Sequence, residues 1–406
     1  MDGLNTGRRT LLAVVGGVTG LGAAGCLQLE EGDDESPADG SDESDSGDED
    51  TADSEDSVSF EVAWTGTDVD GLDAFIEEND IRTNPEIRPH GVVDESVYVI
   101  GGNSGALAAI NPDTRAVETR YDSETREWDG VTSTHLTDDS VYMAGPTDDG
   151  GKIVKLTPGD DLVWSRTAVN EHESVSQFAV CDEYLFACSR NRTQDTTMAF
   201  EVFDTNGDQV FVETWDEDSI VNNFRDLAVT ENFVFIGELN TAYVYDIDGQ
   251  ELLESADLFG VEHGRHFTIE DSVLYSVGRY ETKAIDLETN ELLFDAEPGG
   301  VVDPVLSETS LLVGDETGLY SYDRTTGEEN WHHRTTNEVS GGPVVLDGIA
   351  YALDDSDLLY AVRIDDGTVL HDGEVPFDGR TPLLSTDDSL VFTDQDGLVI
   401  VEPTVS

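Results

Sequence analysis

One pattern of short strands recurs from about residue 57 to the end of this chain, and it constrains the fold more than any other feature of the 406 residues. The clearest copy runs Leu311-Leu312-Val313-Gly314-Asp315-Glu316-Thr317-Gly318-Leu319-Tyr320-Ser321-Tyr322-Asp323-Arg324-Thr325-Thr326-Gly327-Glu328-Glu329-Asn330-Trp331. It reads as a strand, a turn, a second strand ending in an acidic turn, then a third strand. β-Branched and aromatic residues fill the strands, Asp, Gly, Asn and Thr mark the turns, and helical periodicity is almost absent. Related stretches begin at Val97, Val141, Tyr184, Phe233, Val273, Ile349 and Leu390, which makes eight copies. The first and last starts lie 293 residues apart over seven intervals, about 42 residues each. A period of about 40–45 residues with four short strands is that of a β-propeller blade. The inner strand of each blade precedes the quoted stretch, as in residues 341–346.

The expected fold is therefore all-β, a propeller of eight four-stranded blades. Seven is the alternative, because the unit from Tyr184 carries an insertion near residues 191–196 and is the most degenerate copy. The ends of the repeat favour closure. The last copy stops at Val401-Glu402-Pro403 and lacks an outermost strand. Val58-Ser59-Phe60-Glu61-Val62-Ala63-Trp64 alternates like a strand and ends in Trp, as the outer strands do at Trp164 and Trp331. Pairing this N-terminal strand into the last blade would close the ring and remove a free sheet edge.

Charge narrows the setting. There are 89 Asp and Glu against 20 Lys and Arg, a formal net charge of -69. Residues 30–56 hold 15 of the carboxylates, so most belong to the repeating body. A surface of this sign repels phosphate backbones and anionic lipid, so nucleic-acid binding is excluded. Self-repulsion on this scale destabilises a compact state in dilute buffer. Molar salt, where the Debye length falls to about 3 Å, resolves the conflict. A halophile's protein is expected, and three Lys against 17 Arg fit that setting.

The N-terminus reads as an address. Arg8 and Arg9 precede an apolar run over residues 11–25, about fifteen residues, too short to span a ~30 Å hydrocarbon core. The run suits a signal h-region, and the arginine pair resembles a twin-arginine signal, the route for proteins exported folded. Ala23-Ala24-Gly25-Cys26 resembles a lipobox in which Cys26 takes a lipid, although Ala23 stands where Leu is usual. A lone Cys at the end of a cleaved signal is the alternative. Residues 27–57 hold no basic residue and are expected to be an acidic, disordered spacer. The expected domains are a signal at 1–26, the spacer at 27–57 and the propeller at 58–406. The expected address is the extracellular face of the cytoplasmic membrane, held there by lipid.

The repeat resembles that of the pyrroloquinoline-quinone (PQQ)-like propeller family, whose pattern ends in an Asp, a Thr-Gly turn and a Trp. Asp323, Thr326, Gly327 and Trp331 match it fully. Asp286 with Thr289 matches in part, since Asn290 replaces the Gly. Asp204 with Gly207, Asp246 with Gly249, and Asp365 with Gly367 match more loosely. The resemblance implies scaffold roles for these residues, with Gly or Asn at φ > 0 in a hairpin turn and Trp331, Trp164 and Trp64 packed between blades. It also implies two kinds of protein, quinone-dependent dehydrogenases holding PQQ over Ca²⁺ in the channel, and non-catalytic scaffolds of outer-membrane assembly.

Several motifs bear on that choice. The enzymes stack PQQ on a disulfide of adjacent cysteines, whereas Cys181 and Cys188 stand seven apart in what reads as one strand. That separation exceeds disulfide reach. Asp204-Thr205-Asn206-Gly207-Asp208 and Asp246-Ile247-Asp248-Gly249 begin like Ca²⁺ loops but lack the closing Glu, and hairpin turns explain them. His332 and His333 adjoin on a strand and so face opposite ways. His263, His266 and Glu262 share a loop and form a weak candidate metal site. Asn191-Arg192-Thr193 is a sequon, so Asn191 is a candidate glycan site. Catalytic, cofactor and metal residues are not assigned, and neither PQQ nor Ca²⁺ is expected. The expected function is a monomeric, non-catalytic scaffold for an unidentified protein or envelope partner. A quinoprotein-type enzyme with its site in the channel, or an extracellular ligand- or carbohydrate-binding sensor, stands as the alternative.

Overall fold

The computed structural model describes residues 57–406 apart from 79–86, 94–95, 102–105, 122–132, 138, 148–149, 168–173, 182, 191–197, 216–223, 231, 239–241, 248–249, 255–265, 376–379 and 395–396. The expected signal at 1–26, with Arg8, Arg9 and Cys26, lies outside the described residues, and so does the spacer but for Ser57.

Eight four-stranded antiparallel sheets form a closed ring, so the count is eight and not seven. The inner and outer strands of blade 1 are Ile87–Val93 and Ala116–Tyr121, of blade 2 Ser133–Thr137 and Leu162–Thr167, and of blade 3 Ser174–Val180 and Gln209–Trp215. Blade 4 runs from Phe224–Val229 to Glu251–Glu254, blade 5 from His266–Glu270 to Glu291–Ala296, and blade 6 from Val305–Leu306 to Glu329–Arg334. Blade 7 runs from Val339–Leu346 to Val369–Gly373. Blade 8 is built from Arg380–Ser385, Leu390–Asp394, Gly397–Val405 and, outermost, Val58–Thr65 from the other end of the chain. All eight expected repeat starts fall on second strands, within one residue of their first position.

The apolar pattern explains why a ring forms. Each sheet buries both faces of its middle strands, as in Ser310–Gly314 and Ile349–Asp354, where every residue is buried. A blade therefore has no core of its own. The described buried apolar residues fall into eight clusters, and each spans two neighbouring blades. The seam between blades 6 and 7, for example, joins Leu312, Leu319 and Trp331 to Ala350, Ala352 and Val362. Since a buried Val or Leu contributes roughly 1.5–3 kcal/mol, an unclosed ring would forfeit a whole seam.

Closure uses a device the sequence pattern hides. Val58–Thr65 pairs antiparallel with Gly397–Val405, but the register slips by one residue between Val62 and Trp64. Side chains alternate along a strand, so without the slip Phe60 and Trp64 would share a face. The extra residue, Ala63, reverses the alternation. Val58 and Phe60 therefore join the seam with blade 7, while Trp64 joins the seam with blade 1. One strand seals both sides of the last blade.

Two local expectations are corrected. A 3-10 turn, Gly66–Asp68, and a short helix, Leu72–Glu78, follow the closing strand, where no helix was foreseen. Seven residues are too few to display a helical period, yet Leu72 and Phe75 both insert into the seam between blades 8 and 1. Asp70 bridges to the outer edge of blade 1 through Arg115 O (2.8 Å) and Val117 N (3.0 Å). Cys181 and Cys188 do not share a strand. The chain turns at Cys181, whose N–H meets Tyr184 O at 2.9 Å, and the next strand is Tyr184–Arg190.

Candidate functional site

The repeat residues are built from backbone hydrogen bonds outward. Asp323 ends the third strand of blade 6, and its Oδ1 accepts from the N–H groups of Thr325 (2.9 Å) and Thr326 (2.8 Å) and from Thr326 Oγ1 (3.1 Å). These donors, Thr326 N–H first, favour the ionised form and hold the carboxyl below the usual range. Asp286 accepts likewise from Glu288 N (2.9 Å) and Thr289 N (2.8 Å), with Asn290 at φ 56°. Asp204 accepts from Asn206 N (2.8 Å) and Asp208 N (2.9 Å) in a shorter turn, so this Ca²⁺-like stretch spends its carboxylate on its own backbone. Asp246 ends the third strand of blade 4. Gly249 lies outside the described residues, and Gln250 takes φ 49° there.

Two turns depart from the sequence reading. In blade 7 the carbonyl that receives Gly367 N–H belongs to Arg363, not to Asp365, and Asp366 supplies the carboxylate by accepting from Thr368 N at 2.9 Å. In blade 1 Asn111 plays the part of Asp323, accepting from Thr114 N at 3.0 Å, with Arg115 at φ 52°. An amide oxygen stands in for a carboxylate oxygen, so a search for Asp passes over it.

Three of these turns also receive an aromatic side chain from the outer strand of the preceding blade. Trp331 Nε1 donates to Ile364 O at 2.8 Å, and its indole covers Gly367, where a Cβ would come within 2.7 Å of the ring. Trp164 Nε1 donates to Thr205 O at 3.1 Å and covers Gly207 in the same way. Phe294 does so at Gly327, leaving 2.4 Å for a Cβ. Gly207, Gly327 and Gly367 hold φ between 71° and 79°, so the glycine serves a left-handed backbone and an aromatic docking surface together. These residues hold blades together and present no reactive group.

The described histidines lie on both inner and outer strands. His266 opens the inner strand of blade 5, not a loop, and its Nδ1 lies 2.5 Å from Asp303 Oδ1 in the connection to blade 6. A carboxylate in that position orients an imidazole. His263 and Glu262 lie outside the described residues. His90, on the inner strand of blade 1, bonds Thr134 of blade 2 through Nε2. Burial first, and His135 second, push His90 down to about 4, so it stays neutral at neutral pH. His332 and His333 do face opposite ways: the first stacks on Tyr320 at 3.9 Å within its blade, the second meets Tyr360 of blade 7 at 5.5 Å.

Among the described residues, no group of three or more His, Cys, Asp or Glu is placed so that it could hold a metal ion. Trp64, Trp164 and Trp331 are committed to the seams. Cys181 lies in a hairpin turn, and Cys188 is buried in the seam between blades 3 and 4, with its thiol pushed up by burial and by Glu201. Neither is in a disulfide. The sequon Asn191 lies outside the described residues.

The ring and its four-stranded blades define an eight-bladed β-propeller, and the Asp–turn–aromatic repeat is similar to that of the PQQ-like propellers. Residues 259–403 match the family described as outer membrane protein assembly factor BamB. In the same fold, BamB from Moraxella catarrhalis is 15% identical, with a TM-score of 0.59 over 79% of this chain and 96% of that one. The computationally designed Ika8 protein is 17% identical at TM-score 0.59 over the same shares. A europium-containing methanol dehydrogenase is 12% identical at TM-score 0.54, over 82% of this chain and 84% of that one. At these identities the likeness is one of fold. No curated protein matches the chain.

Proposed function

We propose that the chain is a non-catalytic scaffold, lipid-anchored through Cys26 outside the cytoplasmic membrane of a halophile, that docks a protein or envelope partner. The match of residues 259–403 to the assembly-factor family carries the scaffold reading. It is supported by a repeat whose Asp, Gly and Trp residues serve cohesion between blades. The address rests on the sequence alone, on Arg8, Arg9, Cys26 and the acidic stretch that follows. A Cys26→Ser variant of the full chain, expressed in a halophilic host, is expected to leave the membrane fraction. Partition equal to that of the unaltered chain would remove the anchor. Purified protein mixed with PQQ and Ca²⁺ in molar KCl is expected to hold no chromophore and reduce no dye. A bound chromophore with dye reduction would replace the scaffold reading by an enzymatic one.

A further inference from the structure

Eleven of the twelve tyrosines are buried or half-buried, whereas Tyr280 is 71% exposed. It is the one exposed aromatic side chain among the described residues. It sits between the second and third strands of blade 5, Val273–Val277 and Thr282–Asp286, on the face opposite the Asp323 turn. The loop that carries it is fixed. Gly278 N–H bonds Glu281 O and Gly300 N–H bonds Gly278 O, both at 2.8 Å. A Cβ on Gly299 would come 1.9 Å from Gly278 O and 2.6 Å from Tyr280 N, so bare backbone is packed against the loop. Thr282 Oγ1 ties it to Pro298 O at 3.1 Å.

Arg279 lies 5.5 Å from the Tyr280 ring and reaches blade 6, where its Nη2 meets Glu316 Oε1 at 2.8 Å. The next loops along the ring bring Glu338 and Asp355, both exposed, joined through the backbone by Asp355 N to Glu338 O at 3.0 Å. Burial, then Asp355 and Glu316, push the Glu338 carboxyl up, so these carboxylates feel one another with a single guanidinium among them. A rigidly presented Tyr beside an Arg is the composition of an interface anchor. Its loop is already ordered, so docking would cost little further entropy. The surplus of carboxylates around it selects the charge of whatever docks.

We propose that the loops of blades 5–7 bearing Tyr280, Glu316, Glu338 and Asp355 form the docking face for a Lys- or Arg-bearing segment of a partner protein that packs an apolar or aromatic side chain on Tyr280. This rests on the scaffold reading and adds the surface and the partner's chemistry. The test is photo-crosslinking in cells, with p-benzoylphenylalanine incorporated in the full chain at Tyr280, at Thr325 on the opposite face, or at Leu162 on an outer strand. The expected result is an adduct at Tyr280, mapped by mass spectrometry to a basic segment, and reduced at least fivefold by Glu338→Lys with Asp355→Lys. Those exposed sites leave the Arg279–Glu316 pair intact, and circular dichroism checks the fold. An adduct at Thr325 or Leu162 alone would overturn this face while leaving the scaffold reading in place. An adduct at Tyr280 on a non-basic segment, or one indifferent to charge reversal, would overturn the partner chemistry. No adduct at any of the three would remove both readings.

Discussion

Gly327 and Gly348 share a left-handed backbone, at φ 71° and 75°, but differ in surroundings. A Cβ on Gly348 meets nothing within 4 Å, whereas one on Gly327 strikes Phe294 at 2.4 Å. The left-handed backbone alone costs a non-glycine residue about 1–2 kcal/mol, and overpacking adds about 1–3 kcal/mol. Gly327→Ala should therefore lower unfolding free energy by about 3 kcal/mol and Gly348→Ala by about 1 kcal/mol. Urea denaturation of both in molar KCl gives the difference, and equal losses would deny the aromatic contact its role. Asp323, Thr326, Gly327 and Trp331 were legible in the sequence because one contiguous stretch holds all four roles. Asn111 and Phe294 were not, since each performs the same task with different chemistry, and Arg363 was displaced by a nearby Asp that sits two residues further on. The pairing of His266 with Asp303, 37 residues away, depends on two blades meeting, which no local pattern displays.

At the scale of the element, the bulge before the aromatic residue is the recurring device. Outer strands slip register at Ala63, Val163, Val210, Leu293 and Asn330, each one residue before an aromatic side chain that packs in the next seam, and Leu370 slips before His371, which meets Phe60 of blade 8. This accounts for the exposure of Val163, Val210 and Leu293, apolar residues left outside where the strand buckles. Removing Ala63 should restore plain alternation and turn Trp64 out of the seam between blades 8 and 1. The loss should approach that of Trp64→Ala, about 3–5 kcal/mol for a large buried aromatic. Thermal melting of both variants checks this, and an unperturbed Ala63 deletion would mean that the slip is idle. The closing strand itself was legible, because the last unit visibly lacks a fourth strand. The bulge was not, since register is a property of the pair and not of either strand. The helix Leu72–Glu78 was too short to declare a period.

The whole molecule sets eight apolar seams against a net charge of -69. Each seam gains from burial at any salt concentration, whereas the repulsion reaches about 10 Å at 0.1 M salt and about 3 Å at 1 M. The chain should therefore expand and lose its sheet signal in dilute buffer and regain it in molar KCl. Circular dichroism and gel filtration across that range test this, and a flat response would disconnect the acidity from any need for salt. Composition revealed this opposition at once. The even distribution of the resisting force, one cluster per pair of blades, emerged only with the fold.

The strand Val58–Thr65 is among the first parts of the body to leave the ribosome, and Gly397–Val405, to which it binds, is the last. Ser57 and Ser406 meet through paired backbone bonds of 3.2 and 2.9 Å across a sequence separation of 349 residues. Bringing such distant ends together is entropically unfavourable and comes late. Until residues 397–405 have emerged, the opening strand has nowhere to bind, and blades 1 and 8 wait with bare flanks. A premature stop near residue 397 would thus orphan both ends at once, converting a small truncation into an unsealed circle.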